Sequence, residues 1–412
     1  MNSTENAISM RHPTVDDLQA VYENQARTFG DPLDEHAVEA WKRRVDVNDI
    51  LVAEDVSDPH RPLLVGTSII YPTQLTVPGG ASLRAAWLTM IAVTSTHQGK
   101  GVWGQLSAKG LGILIDRGYP IVFGVPTQTA MYDGFGAGVA SYLRSYRIDR
   151  RFAKLRNPPS QIRAREVHTD EAQHLLPEIY ERWCATTPGG VTRNDAWWAD
   201  YLEDRPTERA NGTALNYTIH PDGFLTYRVV GQSNHGYRPP LGNVVVQDFC
   251  PVTDEAHTEL LHTLLALEMF DTVELDVPVD DPLPLKLTDL RAAETTGVDD
   301  FLWVRINDVP EVLGARAYAA DIEVTLEVDD PLGLAAGQFL LQARDCVAKC
   351  TPHDGPADVK VGLADLATIY IGAHSASELS RAGRITELRP GALRQLGAAF
   401  ATDRAPYCGT LF

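Results

Sequence analysis

The stretch Trp87-Leu-Thr-Met-Ile-Ala-Val-Thr-Ser-Thr-His-Gln-Gly-Lys-Gly-Val-Trp-Gly104 limits the possible folds more than any other part of the chain. An apolar strand ends at Val93, a short polar turn follows, glycines fall at 99, 101 and 104, and a helix opens. Glycines at a strand-to-helix turn let the backbone approach a ligand, because no Cβ stands in the way. The first N–H groups of a helix lack internal partners and carry the positive end of its dipole, so they hold anions. The turn therefore reads as a phosphate or pyrophosphate cradle. It is not a P-loop, because no Gly-Lys-Ser/Thr follows at the required spacing. Gly99, Gly101 and Gly104 match Gly-x-Gly-x-x-Gly by count, but the strand before them ends too early for a dinucleotide fingerprint.

A chain of 412 residues predicts two or three domains. Its 44% hydrophobic and 22% charged content suits globular domains. A net charge of −19 argues against nucleic acid and anionic membrane as partners and suits a cationic substrate. No apolar run is long enough to span a bilayer. The start, Met1-Asn-Ser-Thr-Glu-Asn, has neither basic residues nor an apolar core, so a cytoplasmic location is expected. Five scattered cysteines suit reduced thiols. Cys346 and Cys350 lie near His353 but lack a second ligand pair, so no metal is expected.

The chain also echoes itself. His12-Pro-Thr-Val-Asp-Asp-Leu-Gln-Ala-Val-Tyr-Glu23 shares its His, Asp and Tyr-Glu order with the segment His168–Glu181. Well downstream of each stands a strand, a Val-Thr step and a helix: Ala92–Val102 in the first case, Pro251–Leu261 in the second. This predicts a duplicated α/β unit. In the second copy the glycines are gone, and Asp254, Glu255 and Glu259 put negative charge where a phosphate would lie. That copy is expected to bind no cofactor. Asn157-Pro-Pro-Ser160 reads as a stiff linker between the copies. From about Asp299 a third region mixes strands and helices. The expected boundaries are 1–157, 158–298 and 299–412.

Gln98-Gly99-Lys100-Gly101-Val102-Trp103 resembles the Gln/Arg-x-x-Gly-x-Gly/Ala pattern of GNAT acetyltransferases, with Trp103 replacing a small residue. Three regions in this order resemble the enhanced-intracellular-survival (Eis) family of bacterial N-acetyltransferases. The resemblance is carried by Tyr119-Pro120, Met131-Tyr-Asp-Gly-Phe-Gly136, Tyr180-Glu-Arg-Trp183, Pro188-Gly-Gly190, Pro282-Leu-Pro284 and Ile371-Gly-Ala-His374. The family's Tyr-Gly-x-Phe-Gly-Tyr-Gly appears as Tyr132-Asp-Gly-Phe-Gly-Ala-Gly138.

The resemblance implies an α+β (α/β) fold of two GNAT-type domains, the second degenerate, followed by a sterol-carrier-protein-like domain. It implies acetyl-CoA as co-substrate, a small-molecule amine as acceptor and a homo-oligomer, a hexamer in relatives. The matching acetyl-CoA positions are Ile91, Ala92 and Val93 on the strand, then Gly99, Lys100, Gly101, Val102, Trp103 and Gly104, then Thr127 and Gln128. Tyr132 matches the family's general acid, and a phenol near pKa 10 is protonated at neutral pH. The general base implied is the carboxylate of the terminal residue, Phe412, with His97 and His374 as rival bases. Asp31 matches an acidic residue of the amine site, and Trp41 lies one helix further on. Leu411 stands where a relative carries Glu, which leaves the pocket less anionic. Aminoglycosides or other cationic amines, a dedicated biosynthetic amine, and a non-catalytic ligand-binding role are the readings in play.

Overall fold

The structure is a computed structural model and describes residues 8–31, 33, 35–231, 242–345 and 347–410. Cys346, Leu411 and Phe412 lie outside the described residues.

The first sheet runs, in spatial order, Ile8–Arg11, Ile50–Asp55, Leu63–Thr76, Ser82–Val93, Ile121–Gly124, Trp303–Ile306 and Gly138–Val139. Its one parallel contact joins Ser82–Val93 to Ile121–Gly124, the crossover being the helix Val102–Asp116. Residues 65–71 of the Leu63–Thr76 strand are buried without a break, as expected of a central strand covered on both faces. The helix Leu18–Phe29 packs on that strand and its neighbour Ser82–Val93.

The second sheet repeats this plan. Its order is Ala293–Asp300, Tyr142–Asp149, Thr272–Pro278, Asn243–Pro251, Gly223–Val230, Asn216–His220 and Arg165–Val167. Again one parallel contact joins Asn243–Pro251 to Thr272–Pro278, crossed by the helix Asp254–Leu265. The duplication predicted from the echo is thus a duplication of topology.

The two units exchange strands. Tyr142–Asp149 follows the first unit in sequence but pairs with Thr272–Pro278 of the second sheet. Trp303–Ile306 follows the second unit but pairs with Ile121–Gly124 of the first. Cuts at 157/158 and 298/299 therefore divide each of these strands from the sheet it completes. The run Phe301–Ile306, read as the opening of the third region, is corrected accordingly: its strand belongs to the first sheet.

The third region forms a five-stranded sheet ordered Val347–Pro352, Gly337–Arg344, Ile322–Asp329, Val359–Gly362 and Ile385–Glu387. Its helix Leu363–Ile371 is buried along its whole length and packs on Gly138–Val139 and Trp303–Ile306. One apolar core runs from Leu18 and Trp87 of the first unit through Val304 to Leu366 and Phe400 of the third. The first and third regions share that interior.

Candidate active site

The site begins with a fault in a strand. Ser82–Val93 pairs with Leu63–Thr76 in regular register up to Thr89↔Ile69, then slips, resuming at Ala92↔Thr67. Met90 takes up the slack at φ +50, a β-bulge that bends the strand away from its neighbour. On the other side the parallel ladder to Ile121–Gly124 ends at Trp87↔Phe123. The two strands splay apart from there.

The glycine turn lies at the mouth of this splay. Gly99 and Gly101 hold φ +75 and +78, a region that L side chains avoid. A Cβ at Gly99 or Gly104 would meet nothing within 4 Å, so the face of the turn is open. The helix Val102–Asp116 starts directly after Gly101. A cleft of about 640 Å³ is lined by Thr28, Phe29, Ile91, Val93, His97, Gln98, Gly99, Gly101, Val102, Trp103, Gly104, Thr127, Gln128 and Met131. Its open glycine face and helix N-terminus fit a diphosphate.

Nine of the eleven expected cofactor positions line this one cleft. Ala92 does not: it is fully buried. Lys100 is exposed at the tip of the turn and lies outside the cleft lining. Asp31 is exposed just beyond Gly30, the C-cap of Leu18–Phe29. Trp41 is a core residue packed edge-on to Tyr22.

Behind the cleft is a second, apolar cavity of about 50 Å³, and Ile91 and Trp103 line both. Tyr132 enters it from the short helix Ala130–Asp133. Its ring leans on Trp103 and Trp303, each with a centroid 6.1 Å away, and Trp103 meets Phe135 edge-on at 5.1 Å. Trp103, the departure from the family's small residue, therefore walls the tyrosine in. Ser107 donates to the Trp103 carbonyl and Trp303 Nε1 to Asp300. Arg305 is bound to Asp330. Burial pushes the Tyr132 phenol above its usual value, because the phenolate would lose its hydration. Tyr132 thus keeps its proton at neutral pH.

Sequence reasoning missed Gly124 and Arg305, which line this cavity, and saw Gly136 and Gly138 only as letters of a motif. A Cβ at Gly124 would come 3.1 Å from the Leu88 carbonyl and 3.3 Å from the Tyr132 hydroxyl. Arg305 sends Nη1 and Nη2 to Asp330 at 2.9 and 2.7 Å and also donates to the Phe135 carbonyl. Gly136 (φ +68) would put a Cβ 2.5 Å from that guanidinium, and Gly138 would put one 1.8 Å from the Ala364 carbonyl. Gly136 and Gly138 leave the space into which Asp330 and the helix Leu363–Ile371 of the third region dock.

Both rival histidines are already paired. His97 Nε2 meets Asp55 at 3.1 Å on the rim of the cleft, and His374 Nε2 meets the Tyr142 hydroxyl at 2.9 Å. In the second unit the strand ends at Pro251 and the helix begins at Asp254, capped by Thr253, so only Val252 and Thr253 intervene and no glycine turn is formed. The corresponding cleft, about 350 Å³, is lined by Asp254, Asp280, Asp281 and Asp403. Among the described residues no group of His, Cys, Asp and Glu is arranged to hold a metal ion, and no helix is long and apolar enough to cross a membrane.

Comparison with known proteins agrees with this architecture. Residues 9–140 and 189–306 match two models of the acetyltransferase (GNAT) domain, and 309–409 match a sterol carrier protein domain. The chain is 32% identical over 406 residues to N-acetyltransferase Eis of Mycobacterium tuberculosis (strain ATCC 25177 / H37Ra), covering 96% of this chain and 97% of that protein. It is 32% identical over 361 residues to an uncharacterized N-acetyltransferase of Streptomyces griseus, covering 84% of this chain and 86% of that one. The crystal structure of Eis1 from Mycobacterium abscessus superposes with a TM-score of 0.85 at 29% identity, over 98% of this chain and 100% of that one. With its glycine cleft in the first unit and its acidic counterpart in the second, the chain belongs to the Eis family of GNAT N-acetyltransferases.

Proposed function

We propose that the first unit transfers acetyl from acetyl-CoA to a primary amine of a small molecule within a ternary complex, with Tyr132 as general acid and the Phe412 carboxylate as general base. Ile91, Ala92, Val93, residues 99–104, Thr127 and Gln128 hold the co-substrate: the glycine turn takes the diphosphate and backbone amides near the Met90 bulge polarise the thioester carbonyl. The Phe412 carboxylate takes a proton from the ammonium, and the free amine attacks the carbonyl carbon. As the C–N bond forms and the C–S bond breaks, Tyr132 gives its proton to the leaving sulfur, while the acylated nitrogen loses its extra proton to solvent, which restores the Tyr132 phenol and leaves a neutral amide and free thiol.

The observation that carries this reading is that the open glycine cleft and the apolar cavity of Tyr132 adjoin, with Ile91 and Trp103 lining both. A phenol kept protonated by burial in the adjoining cavity supports Tyr132 as the proton donor. The net charge of −19 favours a cationic acceptor, with Asp31 a candidate contact and aminoglycosides one class. Leu411 favours a second reading, a dedicated biosynthetic amine less charged than an aminoglycoside. By likeness to its family the enzyme assembles as a hexamer.

A panel of aminoglycosides and simpler primary amines, assayed for free thiol released from acetyl-CoA, tests the proposal. Release that depends on the amine and is lost in Tyr132→Phe supports it. A raised melting temperature with acetyl-CoA but no release with any amine would favour a ligand-binding role.

A further inference from the structure

The tail that leads to the chain end is held by the second unit. Tyr407 N donates to the Pro188 carbonyl at 2.8 Å and the Tyr407 hydroxyl to the Asp276 carbonyl at 3.1 Å. Gly189 permits this approach, since a Cβ there would stand 3.2 Å from Tyr407 N. Three residues on, Thr410 is buried, at 1% exposure.

Its hydroxyl has two partners, Arg193 Nε at 3.1 Å and the Tyr180 hydroxyl at 2.9 Å. The direction of every proton follows from chemistry. Arg193 only donates. The Tyr180 hydroxyl donates to the Val191 carbonyl at 2.8 Å, so its one proton is used. Thr410 must therefore accept from Arg193 and donate to Tyr180. The chain runs from Arg193 through Thr410 and Tyr180 to Val191, and Val191 is bridged to Leu75 on the Leu63–Thr76 strand of the first unit.

Arg193 is itself immobilised. Nη1 and Nη2 grip Asp248 at 3.0 and 2.7 Å, a bidentate pair with both side chains buried. The guanidinium carbon stands 4.0 Å from the ring centroids of both Tyr180 and Trp197. Its Nε–H points at the tail, donating to the Thr410 hydroxyl. An ion pair this deeply buried is costly to desolvate, and here it presents one directed N–H to the residue two places before the chain end.

We infer that Thr410 is a positioning residue, and that Arg193, Asp248 and Tyr180 of the degenerate second unit form a clamp fixing the tail for the Phe412 carboxylate. This rests on the reading of that carboxylate as general base. It gives the second unit, whose own cleft is acidic, a task in the reaction of the first.

The test is Thr410→Val, which keeps shape and removes both hydrogen bonds, with Thr410→Ser, which restores them. Thr410→Val should bind acetyl-CoA as the wild type does, lose about 10²-fold in kcat, as misplacement of a reacting group does, and release its terminal residues faster to a carboxypeptidase. Thr410→Ser should recover both kcat and resistance to trimming. Tyr180→Phe, which breaks the chain one hydroxyl further on, should reproduce the faster trimming. Unchanged trimming in Thr410→Val overturns the clamp. Faster trimming with full kcat overturns the positioning role by a different route, because the chain end would then take no part in the chemistry.

Discussion

A Cβ on residue 124 would lie 3.3 Å from the hydroxyl of Tyr132, a contact that glycine alone avoids. The same Cβ would press on the Leu88 carbonyl at 3.1 Å, at the point where the two strands of the site part. Gly124→Ala is therefore expected to displace Tyr132 while the fold survives, since overpacking of this size costs about 1–3 kcal/mol. Steady-state kinetics should show kcat reduced by up to about 10²-fold with little change in KM for acetyl-CoA.

Tyr132→Phe removes one oxygen and keeps the ring against Trp103 and Trp303. Acetyl-CoA affinity and melting temperature should hold, and kcat should fall about 10²–10⁴-fold, the usual worth of a general acid. The pH profile carries the same information. A general acid works in its protonated form, so activity is lost as pH rises through its pKa. Burial raises the phenol of Tyr132, so the alkaline limb should lie above about pH 10 and be absent from the residual rate of the variant.

Calorimetry should find one acetyl-CoA site per chain, in the first unit. Gly101 stands at φ +78 and a Cβ there would meet only the Gln105 amide, at 4.0 Å. Gly101→Val would force a branched side chain into a left-handed conformation and into the open cleft. The strain costs about 1–2 kcal/mol, and binding should be abolished. Two equivalent sites in the wild type would show that the acidic second cleft also takes the co-substrate.

The Arg305–Asp330 pair joins the first sheet to the third region. Burial alone would raise the Asp330 carboxyl, but Arg305 and the backbone N–H groups of Ala335 and Leu332 outweigh it and hold it at about 2. A carboxyl lower in the folded than in the unfolded chain, where it is about 3.9, stabilises above that value. The contribution is lost as pH falls from about 4 towards 2. Thermal unfolding should weaken across that window. Asp330→Asn, which leaves Arg305 buried without its counter-charge, should cost about 3–5 kcal/mol near neutral pH and flatten this acid dependence.

The glycine turn, the duplication and the three-region order were legible because each is local: periodicity, a break in it, and glycines at fixed offsets. The strand exchange was not. Tyr142–Asp149 and Trp303–Ile306 look alike as short alternating runs, and only packing decides which sheet each enters. The run Tyr132–Gly138 was visible as a motif, but the reason for Gly136 and Gly138 lies in Arg305 and Ala364, far along the chain. Trp103 read as a departure and proves to be a wall of the Tyr132 cavity. Thr410 carried no signal at all, since a threonine near a chain end is ordinary until its partners Arg193 and Tyr180 are seen.

The most direct measurement is kcat of an enzyme carrying one extra glycine after Phe412. The addition moves the terminal charge by about 3.5 Å and turns the old carboxylate into an uncharged amide. The account predicts that acetyl transfer collapses while acetyl-CoA still raises the melting temperature as in the wild type, and that Phe412→Leu, which keeps the carboxylate in place, loses far less. Full turnover by the extended enzyme would contradict it, and the amine proton would then have to leave by another group.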